Sequence, residues 1–285
     1  MNDKFVMALG FFDGAHIGHR ELFRRTLETA ERLGAVPSAL TFETHPDALA
    51  LGVIPPLINT AEERKRLIEA LGPDVKSMPF DEKIMKTPWD AFVRDLARQG
   101  AVGLVVGQDF RFGWKGEGDA ERLRAECARL NIRCDIIPEV LLDGVVVSST
   151  YIRRLIGDGE MEKAAKFLGR NHSIGGVVAH GKRLGTEIGV PTVNIALPEG
   201  LVKPKFGVYA TKIGAYRSVT NVGVRPTIDD GDGITVETTL LGFKGNMYDE
   251  KVRVEFLRFI RPERKFENVE ALRTQIQEDI RECVS

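Results

Sequence analysis

The chain changes texture once, at Gly169-Arg170, and that change limits its fold more than any single motif. Before it, apolar runs at 5–9, 36–42, 75–78, 102–106 and 132–137 read as strands, separated by amphipathic stretches of helical length. The helix ends carry their own signals. Gly34 is a stop, Thr60-Ala61-Glu62-Glu63 has the form of a capping box, and Gly72-Pro73 ends the helix it opens. Thr87 is placed to cap a helix with Pro88 at its first position, and Asp119 to cap another ending near Leu130. A short helix over 160–168 closes at Gly169. Strands alternating with helices predict a parallel sheet covered on both faces. After Arg170 the helices stop. Strands are expected at 173–178, 192–195, 208–213, 218–222, 235–240 and 252–259, which suggests a small antiparallel barrel. A last helix over 269–283 puts Val269, Leu272, Ile276 and Ile280 on one stripe, suited to packing on that barrel. The expected architecture is therefore α/β: a Rossmann-like domain over 1–169, then a β-barrel domain with a terminal helix over 170–285.

The densest chemistry lies between the first strand and the first helix, in Gly10-Phe11-Phe12-Asp13-Gly14-Ala15-His16-Ile17-Gly18-His19. Gly10 and Gly14 permit a sharp turn and close approach of a ligand. His16 and His19 are three apart, so they project from one face of the opening helical turn. A helix N-terminus offers unpaired N–H groups and partial positive charge, which suit phosphate. As a metal site the pair lacks further ligands, since His45, His172 and His180 form no spaced cluster with it. The loop carrying Asp109 also follows a strand, so it falls on the same carboxyl edge of the sheet, where such folds bind ligands. Ser148, Ser149, Thr150 and Arg153 combine hydroxyls, a helix start and a guanidinium in a second anion cradle, with Ser148 or Ser149 as the cap. These features read as a nucleotide-handling site.

In the second half, Gly176 to Arg183 nearly matches the P-loop pattern, but Arg183 stands where a magnesium-binding hydroxyl is needed and the interior is β-like. It is rejected. Thr192 and Asn194 are two apart and face one way on an extended strand, as hard oxygen ligands suited to Mg²⁺. Glu237 is a lone carboxylate within a strand and could serve as a general base.

The bulk numbers narrow the setting. At 285 residues the chain suggests two domains, and its net charge of −1 gives no support for a nucleic-acid partner. No apolar run approaches the roughly 20 residues a membrane helix needs, and the start lacks signal-peptide features. Cys127, Cys134 and Cys283 form no zinc spacing or disulfide framework. A cytoplasmic protein is expected, and oligomeric state is not legible.

GFFDGAHIGH, VGQDFRFG and SSTYIR, in that order, resemble the adenylyltransferase half of bacterial bifunctional riboflavin kinase/FAD synthetases. GVPTVN, FGVYA, NVGVRPT, VETTLLGF and FIRPERKF, with Gln277-Glu278-Asp279-Ile280, resemble the riboflavin kinase half. Together the two resemblances span nearly the whole chain. They imply a nucleotidyltransferase domain that transfers AMP from ATP to FMN, and a barrel that phosphorylates riboflavin with Mg-ATP. ATP, riboflavin and FMN are the implied substrates and Mg²⁺ the implied metal. By the same resemblance His16, His19, Ser148, Ser149, Thr150 and Arg153 hold ATP phosphates, with Gly10, Phe12, Asp13, Gly14 and Asp109 in the same site. In the kinase half, Thr192 and Asn194 hold Mg-ATP and Glu237 deprotonates the ribityl 5′-hydroxyl. Gly181 and Lys182 belong to a nucleotide-covering loop, and Arg261 lies near the flavin. Phe11 stands where the family usually carries Asn, Thr44 replaces a common proline, and Thr186 an arginine. Two alternatives follow: a riboflavin kinase with a weak or repurposed first domain, or a non-catalytic flavin or nucleotide sensor.

Overall fold

In a computed structural model of the chain, residues 4–179, 192–224, 233–243 and 245–284 are described. The chain divides into two compact units, Met1–Ser149 and Thr150–Ser285.

The first unit is built on a five-stranded parallel sheet in the order β3-β2-β1-β4-β5. Its strands are β1 (Phe5–Leu9), β2 (Val36–Phe42), β3 (Asp74–Met78), β4 (Ala101–Gly107) and β5 (Arg133–Ile137). The helices between them are α1 (Ile17–Leu33), α2 (Pro46–Ala50), α3 (Ala61–Glu69), α4 (Glu82–Met85), α5 (Trp89–Arg98) and α6 (Ala120–Arg129). All five residues of β1 are buried, as a central strand covered on both faces must be. Leu9, Leu104 and Leu123 pack on one side of the sheet, and Val6, Phe12 and Phe23 on the other. The alternating pattern therefore gave the sheet, but several details differ. Thr60 caps α3, accepting from Glu63 N at 3.2 Å, yet the Glu63 side chain pairs with Arg66 instead of reaching back. Thr87 does not cap. Its hydroxyl donates to Lys83 O, because a short helix, α4, ends there, and Pro88 is the N-cap of α5. Asp119 caps α6 as expected, accepting from Arg122 N at 2.8 Å. A small hairpin, β6 (Leu141–Leu142) and β7 (Val145–Val146), was not anticipated.

The second unit begins with α7 (Ser149–Asp158, whose first residue closes the first unit) and α8 (Met161–Leu168). There follow β8 (His172–Val177), β9 (Thr192–Ala196), β10 (Gly207–Ile213), β11 (Tyr216–Val224), β12 (Ile234–Leu240), β13 (Lys251–Arg261) and α9 (Val269–Val284). The strands form one antiparallel sheet in the order β8-β13-β10-β11-β12-β9. An isolated bridge between Ala179 and Asn194 joins the two ends, so the sheet is a nearly closed barrel. Two register shifts between β10 and β13 supply the bending that closure needs.

Alternation sorts the barrel's two faces. Val193, Ile195, Val236, Val222 and Val254 are buried on its inside, and so is a chain of hydroxyls. Thr211, Ser218, Thr220 and Thr238 are linked at 2.7–2.8 Å, each fully buried and partnered. The outside is crossed by α9. The face of α9 turned inward carries Gln275, Asp279 and Cys283 as well as half-buried Ile276 and Ile280, so it is more polar than the expected stripe. Asp279 and Gln275 are there because they hold two arginines, Arg261 and Arg264. The side chains of Val269 and Leu272 lie outside the described residues.

His172 is fully buried, beside Phe256 at 5.7 Å, and neither ring nitrogen has a hydrogen-bond partner. Burial, aided by Arg170, pushes its pKa down to about 3. The unfolded chain takes up this proton near pH 6.5 and the folded one does not, so stability is full above that pH and falls as pH drops toward 3. The slope from this residue approaches about 1.4 kcal/mol per pH unit. His172→Phe is expected to flatten the acid limb of Tm against pH between about 6.5 and 4; an unchanged limb would show that other groups set it.

Candidate active sites

In the first unit, the turn after β1 is locally strained in a specific way. Phe12 has φ 59° and Gly14 φ 81°, both left-handed. Gly10 is needed for another reason: a Cβ there would meet the Phe12 ring at 2.7 Å. Phe12 is thus folded back over Gly10 into the core, edge-on to Phe23 and to His19. His16 is the N-cap of α1, its Nδ1 accepting from His19 N at 3.3 Å. That bond leaves the proton of a neutral imidazole on Nε2. The two rings stack at 3.6 Å and 16°, so they act as one plate at the helix start. Gly18 gives the plate room: a Cβ there would touch the His16 ring at 3.2 Å.

Asp13 turns inward. Its carboxylate, 2 % exposed, accepts the backbone N–H groups of Ile58 at 2.9 and 3.1 Å and of Asn59 at 3.4 Å. It ties the histidine turn to the segment before α3. Asp13→Ala strands these buried donors and is expected to cost about 2–3 kcal/mol, read as a lower Tm. Ser149 is the first residue of α7, and its hydroxyl donates to Asp13 O at 2.9 Å. This bond fastens Ser149 to the histidine turn. Asp109 is exposed in the turn after β4, and β4 lies beside β1, so both loops leave the same sheet edge. Thr150 and Arg153 lie on α7 in the second unit.

Two features escaped the sequence. Arg64, 1 % exposed, reaches from α3 to the carbonyls of Phe42 and Glu43 and stacks on Phe11 at 4.0 Å. Burial lowers its pKa, with Asp13 opposing. Phe11 also meets the His45 ring at 4.5 Å, so it is wedged between two nitrogenous side chains. The second feature is a cavity of about 280 Å³ lined by Glu21 and Arg25 of α1 and by Asp135, Ile137, Pro138 and Val140 at and beyond the end of β5. No motif flagged these residues, because they come together only when α1 packs on the sheet.

In the second unit the register is decisive. Glu237 of β12 lies directly opposite Asn194 of β9 and Asn221 of β11. Directly opposed residues share a face, with Cβ atoms about 5 Å apart. One pair further along, Thr192 faces Thr239. The lone carboxylate of the sequence is thus flanked by an amide on each side. Asn194 Oδ1 is buried with no hydrogen-bond partner. Arg261 is held in a two-pronged ion pair by Asp279 at 2.8 Å to each oxygen, and Gln275 donates to the same carboxylate. Arg261 and Arg264 both lie over Phe266. Asn221 and Asp279 stood inside motifs but were not singled out. Gly181, Lys182 and Thr186, like the second half of the rejected P-loop match, lie outside the described residues; Gly176 and Val177 belong to β8, as the β-like reading required. Among the described residues no cluster of three His, Cys, Asp or Glu side chains could hold a metal, and no helix is long and apolar enough to cross a membrane.

A parallel α/β unit with a histidine plate at a helix start, followed by a six-stranded barrel with a carboxylate set between amides, defines a two-site class of nucleotide-using transferase. The comparisons specify it. A family model for FAD synthetase matches residues 1–151, and one for riboflavin kinase matches 168–285. Bifunctional riboflavin kinase/FMN adenylyltransferases are 32% identical in Listeria monocytogenes (96% of this chain, 90% of the relative) and 31% in Bacillus subtilis (99% and 92%). The Escherichia coli K12 relative is 31% identical over 96% of this chain and 90% of its own. A crystal structure of a Streptococcus pneumoniae protein, described as a macrolide-efflux protein, superposes with TM-score 0.87 at 29% identity, over 99% of this chain and 94% of that one. The chain belongs to the bifunctional riboflavin kinase/FAD synthetase family, with an FAD synthetase domain at its N-terminus and a riboflavin kinase domain at its C-terminus.

Proposed function

We propose that the two units catalyse consecutive ATP-dependent steps, riboflavin to FMN in the barrel and FMN to FAD in the α/β unit, with the functional boundary at 169/170. The FAD synthetase match ends at 151 and the riboflavin kinase match begins at 168, so this boundary lies just inside the second match. The observation that carries the kinase half is the placement of Glu237 opposite Asn194. Glu237 accepts the proton of the ribityl 5′-hydroxyl, whose oxygen attacks the γ-phosphorus of ATP as ADP leaves. The unpartnered oxygen of Asn194 and the hydroxyl of Thr192 on the same strand face fit a hard cation, and these two residues would hold Mg²⁺. When bound, the ion supplies charge neutralisation on the triphosphate. Arg261, braced by Asp279, borders the flavin.

In the first unit, an FMN phosphate oxygen attacks the α-phosphorus of ATP and pyrophosphate leaves, a direct displacement that needs positioning and charge stabilisation. His16 Nε2–H and His19 stabilise the phosphates at the start of α1, joined by Ser148 and Ser149. Gly10, Gly14 and Phe12 shape the turn, Asp13 fixes it, and Asp109 borders it. A cytoplasmic setting accords with ATP as the common substrate.

One observation favours a kinase-only reading. Phe11, wedged between Arg64 and His45, offers hydrocarbon where the family usually offers an amide. Incubating the protein with riboflavin and Mg-ATP and following products over time tests both readings. FMN followed by FAD supports the bifunctional one, FMN alone the kinase-only one, and absence of product a sensor.

A further inference from the structure

Glu237 has a second neighbour whose amide is aimed by a distant carboxylate. Asn221 Nδ2 donates to Glu263 Oε1 at 2.9 Å. A carboxylate only accepts, so the amide nitrogen must face Glu263 and the oxygen Oδ1 is turned the other way. Glu263 reaches Asn221 because the chain after β13 folds back over β11. Its carboxylate lies so close over Gly223 that any Cβ there would collide with it. Gly223 and Asn221 are two apart on β11, hence on the face that also carries Glu237. That face then presents, in order across the strands, the oxygen of Asn194, the carboxylate of Glu237 and the oxygen of Asn221, with Glu263 behind. Three acceptors in a row repel one another unless donors or cations stand between them.

We infer that Asn221, oriented by Glu263, is the residue that binds the alcohol substrate beside Glu237, while Asn194 serves the nucleotide side. This rests on the reading of Glu237 as the kinase base. A polyol supplies the donors the row lacks: a hydroxyl bound between Asn221 Oδ1 and Glu237 satisfies both and is held for deprotonation. The two flanking amides thus divide the site, one side selecting hydroxyl donors and the other a hard cation. Sequence spacing could not indicate this, since Asn221, Glu237 and Glu263 come from β11, β12 and the chain beyond β13.

The test uses the full-length protein with Asn221→Ala, Asn221→Ser, Glu263→Ala and Glu263→Gln, each checked by thermal melting. Asn221→Ala is expected to raise the KM for riboflavin about tenfold while the KM for Mg-ATP moves less than about twofold. Conversion of supplied FMN to FAD should be unchanged. Glu263→Ala should show a weaker form of the same split, and Glu263→Gln should restore most of it, because its carbonyl can still accept from Asn221. Equal shifts in both KM values, or no shift in the riboflavin KM, would overturn the proposal. If Asn221→Ala does not fold, Asn221→Ser and the Glu263 pair decide by the same criterion. Glu237→Gln run alongside separates the two failures. A kinase that survives it refutes the underlying reading, whereas a kinase lost in Glu237→Gln but indifferent to Asn221 refutes only this inference.

Discussion

Glu237→Gln is expected to reduce FMN formation from riboflavin by about 10²–10⁴-fold, the range associated with losing a general base, with FAD formation from supplied FMN intact. The substitution keeps the side chain's shape and its place between Asn194 and Asn221, so the barrel should fold with little change in Tm. What it removes is the acceptor for the hydroxyl proton. If Glu237 were only a polar residue on a solvated strand face, the change would leave FMN formation nearly untouched. The measurement is the separate initial rate of each product, with riboflavin or FMN as starting flavin. Loss of both reactions in a folded protein would show that the two sites are not chemically independent.

His19→Ala is expected to do the reverse: FAD formation falls by about 10²–10³-fold, the range seen when one preorganised donor to a developing charge is lost, while FMN formation persists. His19 is chosen over His16 because the His16 side chain caps α1, and losing a cap would itself cost about 1 kcal/mol. The His19 ring stacks on His16 and meets Phe12 edge-on, so a modest fall in Tm accompanies the substitution. The discriminating observation is the product pattern. An enzyme that still makes FAD at the wild-type rate would remove the histidine plate from the adenylyl transfer.

Much of this architecture was legible before any coordinates. Alternating apolar runs and amphipathic stretches gave the parallel sheet, because strand and helix periodicities are local properties. The move to β-only texture gave the barrel. Asp119 and Thr60 were readable as caps for the same reason. The errors also have local causes. Thr87-Pro88 satisfies the rule for a helix start, but α4, too short to leave a periodic signal, had already claimed Thr87. Glu63 had a choice between the backbone and Arg66, and the charged partner won. Gly10 was assigned to a turn for its flexibility, whereas the structure needs it bare so that the Phe12 ring can lie against it.

By itself the sequence determined the order and type of the longer elements, the histidine turn, and the family, since each depends on residues close along the chain or on motifs quoted whole; α2, α4 and the β6–β7 hairpin were too short to leave such a signal. Only the tertiary structure decided which polar groups meet. Asp13 with Ile58, Arg64 with Phe11, Asp279 with Arg261 and Glu263 with Asn221 all come from separate elements. Such pairings follow from strand register and from how helices pack on sheets, where a shift of one residue turns every side chain to the opposite face.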